Sequence, residues 1–307
     1  MTLQRFFASA GVSLPMVIVL GAPMGAVDRV SGVITRTYVI VEDTELAGNV
    51  TCAVDSGPCF SFGAPGVELK LNGFTMTGKA DPVTGCGGAL DPNRVGAFSG
   101  ETGVTTNGQP RVSVRGPGLI ERFRLHGVLV TGSTGARVEL LTTATNCGSG
   151  ILVHATAFET LIQDNVSVRN GSTLPGFTCG GICLIGHNNR VRRNEVNGNG
   201  YAEPADDFGI GAIGTASGNV IELNSVVGNT NGIFLGAGTR QTLVRQNTIL
   251  GNPAIQIGNT HPSAQGVDIR SLAPAGAVTF ERNLCVTSVN APCPDVSGTG
   301  WRPQQLP

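Results

Sequence analysis

Val220-Ile221-Glu222-Leu223-Asn224-Ser225-Val226-Val227-Gly228-Asn229 is followed by Gly232-Ile233-Phe234-Leu235. After a short turn the pattern returns as Leu243-Val244-Arg245-Gln246-Asn247-Thr248-Ile249-Leu250-Gly251-Asn252, then Ala254-Ile255-Gln256-Ile257. Asn224 to Asn247 and Asn229 to Asn252 are both 23 residues apart. Short β-branched runs separated by Gly and Asn, copied at one period, mark a repeat architecture.

The pattern extends upstream. Gly-apolar strands begin at Gly127, Gly150, Gly181, Gly209 and Gly232, spaced 23, 31, 28 and 23 residues. One asparagine column is Asn146, Asn170, Asn199, Asn229 and Asn252; a second is Asn165, Asn194, Asn224 and Asn247, with Asn283 as its last echo. A unit of about two dozen residues supplies two or three short strands, too few to bury a face alone. Stacked as coils, each strand pairs in parallel with the next about 4.8 Å away. Asn at a tight corner tolerates a left-handed backbone, and stacked Asn side chains can bond along the ladder. The expected fold is all-β, a single right-handed parallel β-helix (solenoid) of about nine or ten coils. Its decisive mark is Ile210, Ile233 and Ile255 piled in one file.

Composition agrees. Of 307 residues 45 are Gly, aromatics make up 5%, and the net charge is -1. No basic excess points to nucleic acid. Residues 1–26 read as an export signal: Arg5, the apolar run Phe6 to Leu20, then small residues from Ala22 to Ala26. Removal of that signal leaves no membrane span, and the expected location is secreted, periplasmic or cell-surface. Residues 27–66 read as an N-terminal cap and first coil, 67–290 as the β-helix, and 291–307 as a C-terminal tail or cap.

Eight cysteines suit an oxidising compartment. Cys52 with Cys59 and Cys285 with Cys293 could each close a small loop. Cys147 and Cys179 fall in equivalent connections and could bridge coils. Cys86 and Cys183 have no obvious partner. No Cys or His set stands at metal-ligand spacing.

The Asn columns with their Gly-Ile strands, and the opening Tyr38-Val39-Ile40-Val41, Cys52 and Leu71-Asn72-Gly73-Phe74, resemble the pectin-lyase-like right-handed β-helix superfamily, and within it the secreted carbohydrate-binding and sugar-hydrolase type. The resemblance implies a polysaccharide or glycan partner and one of two tool sets. Hydrolases use facing carboxylates; lyases and epimerases neutralise a uronate with Arg, Lys or calcium. No other cofactor is implied.

Insertions at 79–109, 171–180, 200–208 and 258–277 break the period, as functional loops do. Asp206-Asp207 before Phe208-Gly209-Ile210 is the best carboxylate pair, resembling the paired Asp of polygalacturonases. Gly186-His187-Asn188 comes a coil earlier, where the family's Gly-His-Gly comes a coil later, and no Arg-Xaa-Lys follows. The catalytic candidates are therefore Asp206, Asp207 and His187, against a plain solvated loop. Arg190, Arg192, Tyr201, Asp91 and Arg94 are candidates for substrate binding. Against this, Glu139, Gln163, Arg192, Glu222 and Arg245 share one repeat position, so the arginines also fit a ladder of mixed charge. His126 and His154 read as turn or surface residues. Leu152 and Phe234 should point outward, under an insert or as a binding face. Sequons start at Asn49, Asn165 and Asn170; the last two are ladder positions. The competing function is a non-catalytic glycan-binding or surface structural β-helix.

Overall fold

The computed structural model describes residues 27–80, 101–171, 180–200, 208–252 and 266–293. Within them every named strand pair is parallel and joins one coil to the next. A typical coil runs Arg190–Arg192, Glu195–Asn197, Ile210–Ala212; the next runs Val220–Glu222, Ser225–Val227, Ile233–Leu235. These two coils are in step: Arg190↔Val220, Glu195↔Ser225 and Ile210↔Ile233. Three faces result. The glycine-isoleucine face is a separate 10-stranded sheet. The other two ladders merge through the long first strands, Asp28–Ile34 and Thr44–Cys52, into one 17-stranded sheet.

Three-residue strands alternate inward and outward, and the two kinds of face use this differently. On the glycine-isoleucine face the outer two residues point in, so Ile151, Ile182, Ile210 and Ile233 pile in register. On the other faces only the middle residue points in: Val138, Ile162, Val191, Ile221 and Val244 on one, Val196, Val226 and Ile249 on the next. All of these are fully buried. Gly181, Gly209 and Gly232 precede the inward isoleucines because a Cβ there would meet the following coil's backbone carbonyl or ladder side chains at 2.4–2.8 Å.

The isoleucine file departs from expectation at its end. Ile255 lies outside the described residues, and Ile233 pairs with Ile269. The strand Ile269–Ser271 thus falls inside the stretch 258–277 that the sequence marks as a loop. Asp268, just before this strand, supplies the carboxylate oxygen to which Asn252 donates.

The asparagine columns are hydrogen-bonded ladders. Asn165, Asn194, Asn224 and Asn247 each donate Nδ2 and backbone N–H to the next Oδ1, ending at Asn283. The second ladder runs from Asn146 to Asn252 and ends on the Asp268 carboxylate. Asn189 and Asn219 start a third at the remaining corner. The ladder Asn is not itself left-handed, contrary to the sequence reading. The left-handed residue stands just before it: Asp164, Arg193, Leu223, Gln246 and Arg282 have φ of 50–57°. That residue turns the chain, which aims the next side chain along the coil axis, and an amide there satisfies the corner's backbone groups. Asn165 and Asn170 are about 1% exposed, which closes their sequons to modification; Asn49 is exposed.

Cys52–Cys59 and Cys285–Cys293 are disulfides. Cys147 and Cys183 are also disulfide-bonded; Cys183, for which the sequence offered no partner, therefore has one. Cys86 and Cys179 lie outside the described residues. No helix among the described residues is long and apolar enough to cross a membrane.

Candidate functional site

Asp206, Asp207, Tyr201, Asp91 and Arg94 lie outside the described residues. The remaining predicted site residues, His187, Arg190 and Arg192, stand on one coil but face different partners. Arg190 Nε donates to Glu222 Oε1 at 2.5 Å. Arg192 Nε donates to Gln163 Oε1 at 2.8 Å. Arg193 grips Asp164 with two bonds of 2.7 Å. The arginines are members of a side-chain ladder on the outer face, in which Arg137 binds Glu139 and Arg245 binds Glu222. Glu222 is 2% exposed. Burial alone would raise its carboxyl; hydrogen bonds from Arg245 and Arg190 outweigh that and hold it below the usual value. Arg137, Arg190, Arg193 and Arg245 are thus committed to neighbouring acids and Arg192 to an amide.

The glycine-isoleucine face carries one outward residue per strand. In the middle coils these are Leu129, Leu152, Cys183, Gly211 and Phe234. Phe208 lies flat against Phe234, with centroids 5.6 Å apart and planes 3° from parallel. Leu152, Cys183, Phe208 and Phe234 form a buried cluster. Leu152 and Phe234 do point outward, and they are covered.

Beside the Cys52–Cys59 disulfide, Asp55 pairs with Lys79 and Glu101 with Arg124. Burial pushes the Glu101 carboxyl up despite Arg124. The space there is about 10 Å³, room for about one water.

The corner leading from the glycine-isoleucine face to the charged face has a different character. Thr134, Phe158, His187, Ser217 and Arg240 are bridged in file from coil to coil. Each is followed by a left-handed residue, Gly135, Glu159, Asn188, Gly218 or Gln241, so each side chain stands on the crest of a turn. The Phe158 ring is 40% exposed and stacks on His187 at 5.5 Å, 24° from parallel. His187 Nδ1 lies 3.0 Å from Ser217 Oγ. Ser217 then lines an open groove of about 620 Å³ with Thr215, Gly238, Arg240, Gln241, Gly276 and Ala277. From Phe158 to Arg240 is three coil steps, roughly 14 Å at the strand spacing. An aromatic platform running into an open groove of mixed character, with Thr215, Ser217, Arg240 and Gln241 among its lining, suits a chain of pyranose rings, with apolar ring faces and hydroxyl edges.

Residues 119–271 match the family model described as the right handed beta helix region. The chain is a right-handed parallel β-helix of the pectin-lyase-like fold. This β-helix is similar to a double mutant of the periplasmic alginate epimerase AlgG, at 14% identity and a TM-score of 0.52 over 82% of this chain and 56% of that one. It is similar to the Dettilon tailspike protein at 15% identity and a TM-score of 0.50, over 83% and 54%. It therefore spans a little over half the length of each. No curated protein sequence matches it.

Phe158, Ser217 and Arg240 escaped the sequence reading because that reading followed the asparagines and the acids. The signal was present: aligning the β-helix repeats on the third corner places Phe158, His187, Ser217 and Arg240 in one column. His126 corrects the reading in the other direction. It is buried, its Nδ1 accepts the Ser149 N–H at 3.0 Å, and desolvation pushes its pKa down to about 3. A neutral ring that satisfies a corner amide is a structural residue. His154 is exposed, as expected.

Proposed function

We propose that this protein is exported and holds a polysaccharide chain along the corner occupied by Phe158, His187, Ser217 and Arg240. The observation that carries this reading is the exposed Phe158 ring stacked on His187 and continuous, through Ser217, with an open groove. Exposed and half-buried side chains in register at one coil spacing repeat like the sugars of an extended glycan. Export is supported by the apolar opening segment after Arg5 and by the disulfides. The epimerase among the structural neighbours is named for alginate, itself a polysaccharide.

Binding without catalysis is the version the geometry supports best. In the catalytic version, Asp206 and Asp207 serve as acid and base with His187, or a cationic site with calcium neutralises a uronate carboxylate while a neighbouring base takes the proton beside it. His187 is occupied with Ser217 and Phe158, and the arginines beside it are spent on Glu222, Gln163 and Asp164. The test is a panel of neutral and acidic oligosaccharides, titrated against the wild-type protein and Phe158→Ala, with reducing ends and unsaturated products followed with and without calcium. Binding that weakens several-fold in Phe158→Ala, without product, is the expected result. Product formation that persists in Phe158→Ala and vanishes in Asp206→Asn/Asp207→Asn overturns the binding reading in favour of the catalytic one.

A further inference from the structure

We infer that Arg240 reads an anionic substituent, a sulfate ester or a uronate carboxylate, on the polysaccharide lying along this corner; the inference rests on the binding reading above. Arg240 differs from the arginines of the neighbouring face. Arg137, Arg190, Arg193 and Arg245 each grip a carboxylate, and Arg192 an amide. Arg240 has no carboxylate partner among the described residues. Its Nη1 donates to two backbone carbonyls, of Ala237 and Thr239, both at 2.8 Å. Those bonds pin the guanidinium while leaving Nε and Nη2 without a bond to the described residues.

The surroundings fit an oxyanion. Thr215 and Ser217 bring hydroxyls to the groove and Gln241 an amide. Gly238, Gly276 and Ala277 keep the floor low, and the groove's 620 Å³ accommodates a substituted sugar ring. A planar guanidinium presents paired donors matched to a carboxylate or sulfate. A pre-anchored one loses less side-chain freedom on binding than a free arginine would. Phe158 and His187 would then hold the ring faces three and two coils away, and Arg240 would select for charge. Aromatic stacking and charge recognition are thereby assigned to different coils, so they can be separated by mutation.

The experiment uses the full chain and three probes of matched length: a uronate oligosaccharide, the same oligosaccharide with its carboxyls reduced to alcohols, and a sulfated neutral oligosaccharide. Titration calorimetry at one fixed ionic strength gives Kd for the wild type, Arg240→Gln and Phe158→Ala. A charge-assisted hydrogen-bonded contact corresponds to roughly ten-fold or more in Kd. The expected result is that preference for one charged probe over the reduced probe in the wild type, lost in Arg240→Gln, which binds the two alike. The charged probe that shows the effect identifies the substituent. Equal wild-type affinity for charged and reduced probes, or a preference that survives Arg240→Gln, overturns the role of Arg240 and leaves the corner reading standing. Failure of all three probes to bind overturns both. Arg240 is exposed, and a thermal melt of Arg240→Gln matching the wild type excludes misfolding.

Discussion

Replacement of Asn224 by alanine tests the ladder that holds the coils in register. Asn224 Oδ1 accepts the Asn194 N–H at 3.0 Å and Asn194 Nδ2 at 2.9 Å. Its own Nδ2 donates to Val191 O at 3.0 Å and to Asn247 Oδ1 at 2.9 Å. Asn194 Nδ2 keeps its bonds to the Ile162 and Arg192 carbonyls, and Asn247 Oδ1 keeps the backbone N–H of residue 224. Two groups are therefore orphaned in a site only 2% exposed: the Asn194 N–H and one acceptor site on the Val191 carbonyl. At about 1–3 kcal/mol for an unsatisfied buried group, with the carbonyl at the low end, the cost is about 2–4 kcal/mol. The control is Asn197→Ala, an exposed residue on the same sheet, with an effect inside about 0.5 kcal/mol. Urea unfolding followed by far-UV circular dichroism measures both, and solenoids can unfold in parts, so the midpoints are compared at several wavelengths. Indistinguishable midpoints for Asn224→Ala and Asn197→Ala would show that the ladder adds no stability and that packing alone sets the register.

Three further outcomes follow from the same geometry. Asp268 Oδ1 accepts from Asn252, and Oδ2 accepts the N–H groups of Val286 and Thr287; Asp268→Asn sets a donor against those donors, costs about 1–3 kcal/mol, and should raise hydrogen exchange in residues 283–289 before the central coils. Glu222, held low by Arg245 and Arg190 against its burial, contributes stability that is complete above the ordinary carboxylate value of 4.5 and is lost as pH falls through the depressed native value; Glu222→Gln should flatten the acid limb of a stability profile below pH 4.5. His126, pushed to about 3 by desolvation from an ordinary 6.5, binds its proton more readily when unfolded; its contribution is complete above 6.5 and declines as pH falls from 6.5 towards 3. Its imidazole resonance should stay in the neutral form at pH 5, and an imidazolium signal there would show that the ring is not desolvated.

What the sequence determined by itself was everything that recurs. The Asn columns, the Gly-Ile strands and the mixed-charge position of Glu139, Gln163, Arg192, Glu222 and Arg245 were legible because stacking coils puts the same demand on equivalent residues of every turn. The tertiary structure decided what does not recur. It showed that the left-handed residue precedes the ladder asparagine, since chain direction and side-chain direction at a corner are set one residue apart. It paired Ile233 with Ile269, one residue after the Asp268 that closes an asparagine ladder. It also tied Arg190 to Glu222 and Arg192 to Gln163, and left Arg240 without a carboxylate partner among the described residues. A repeat fixes the position each residue occupies, whereas a partner is fixed by which side chains reach across coils. That reach depends on distances of a few ångströms, which no spacing in the sequence encodes.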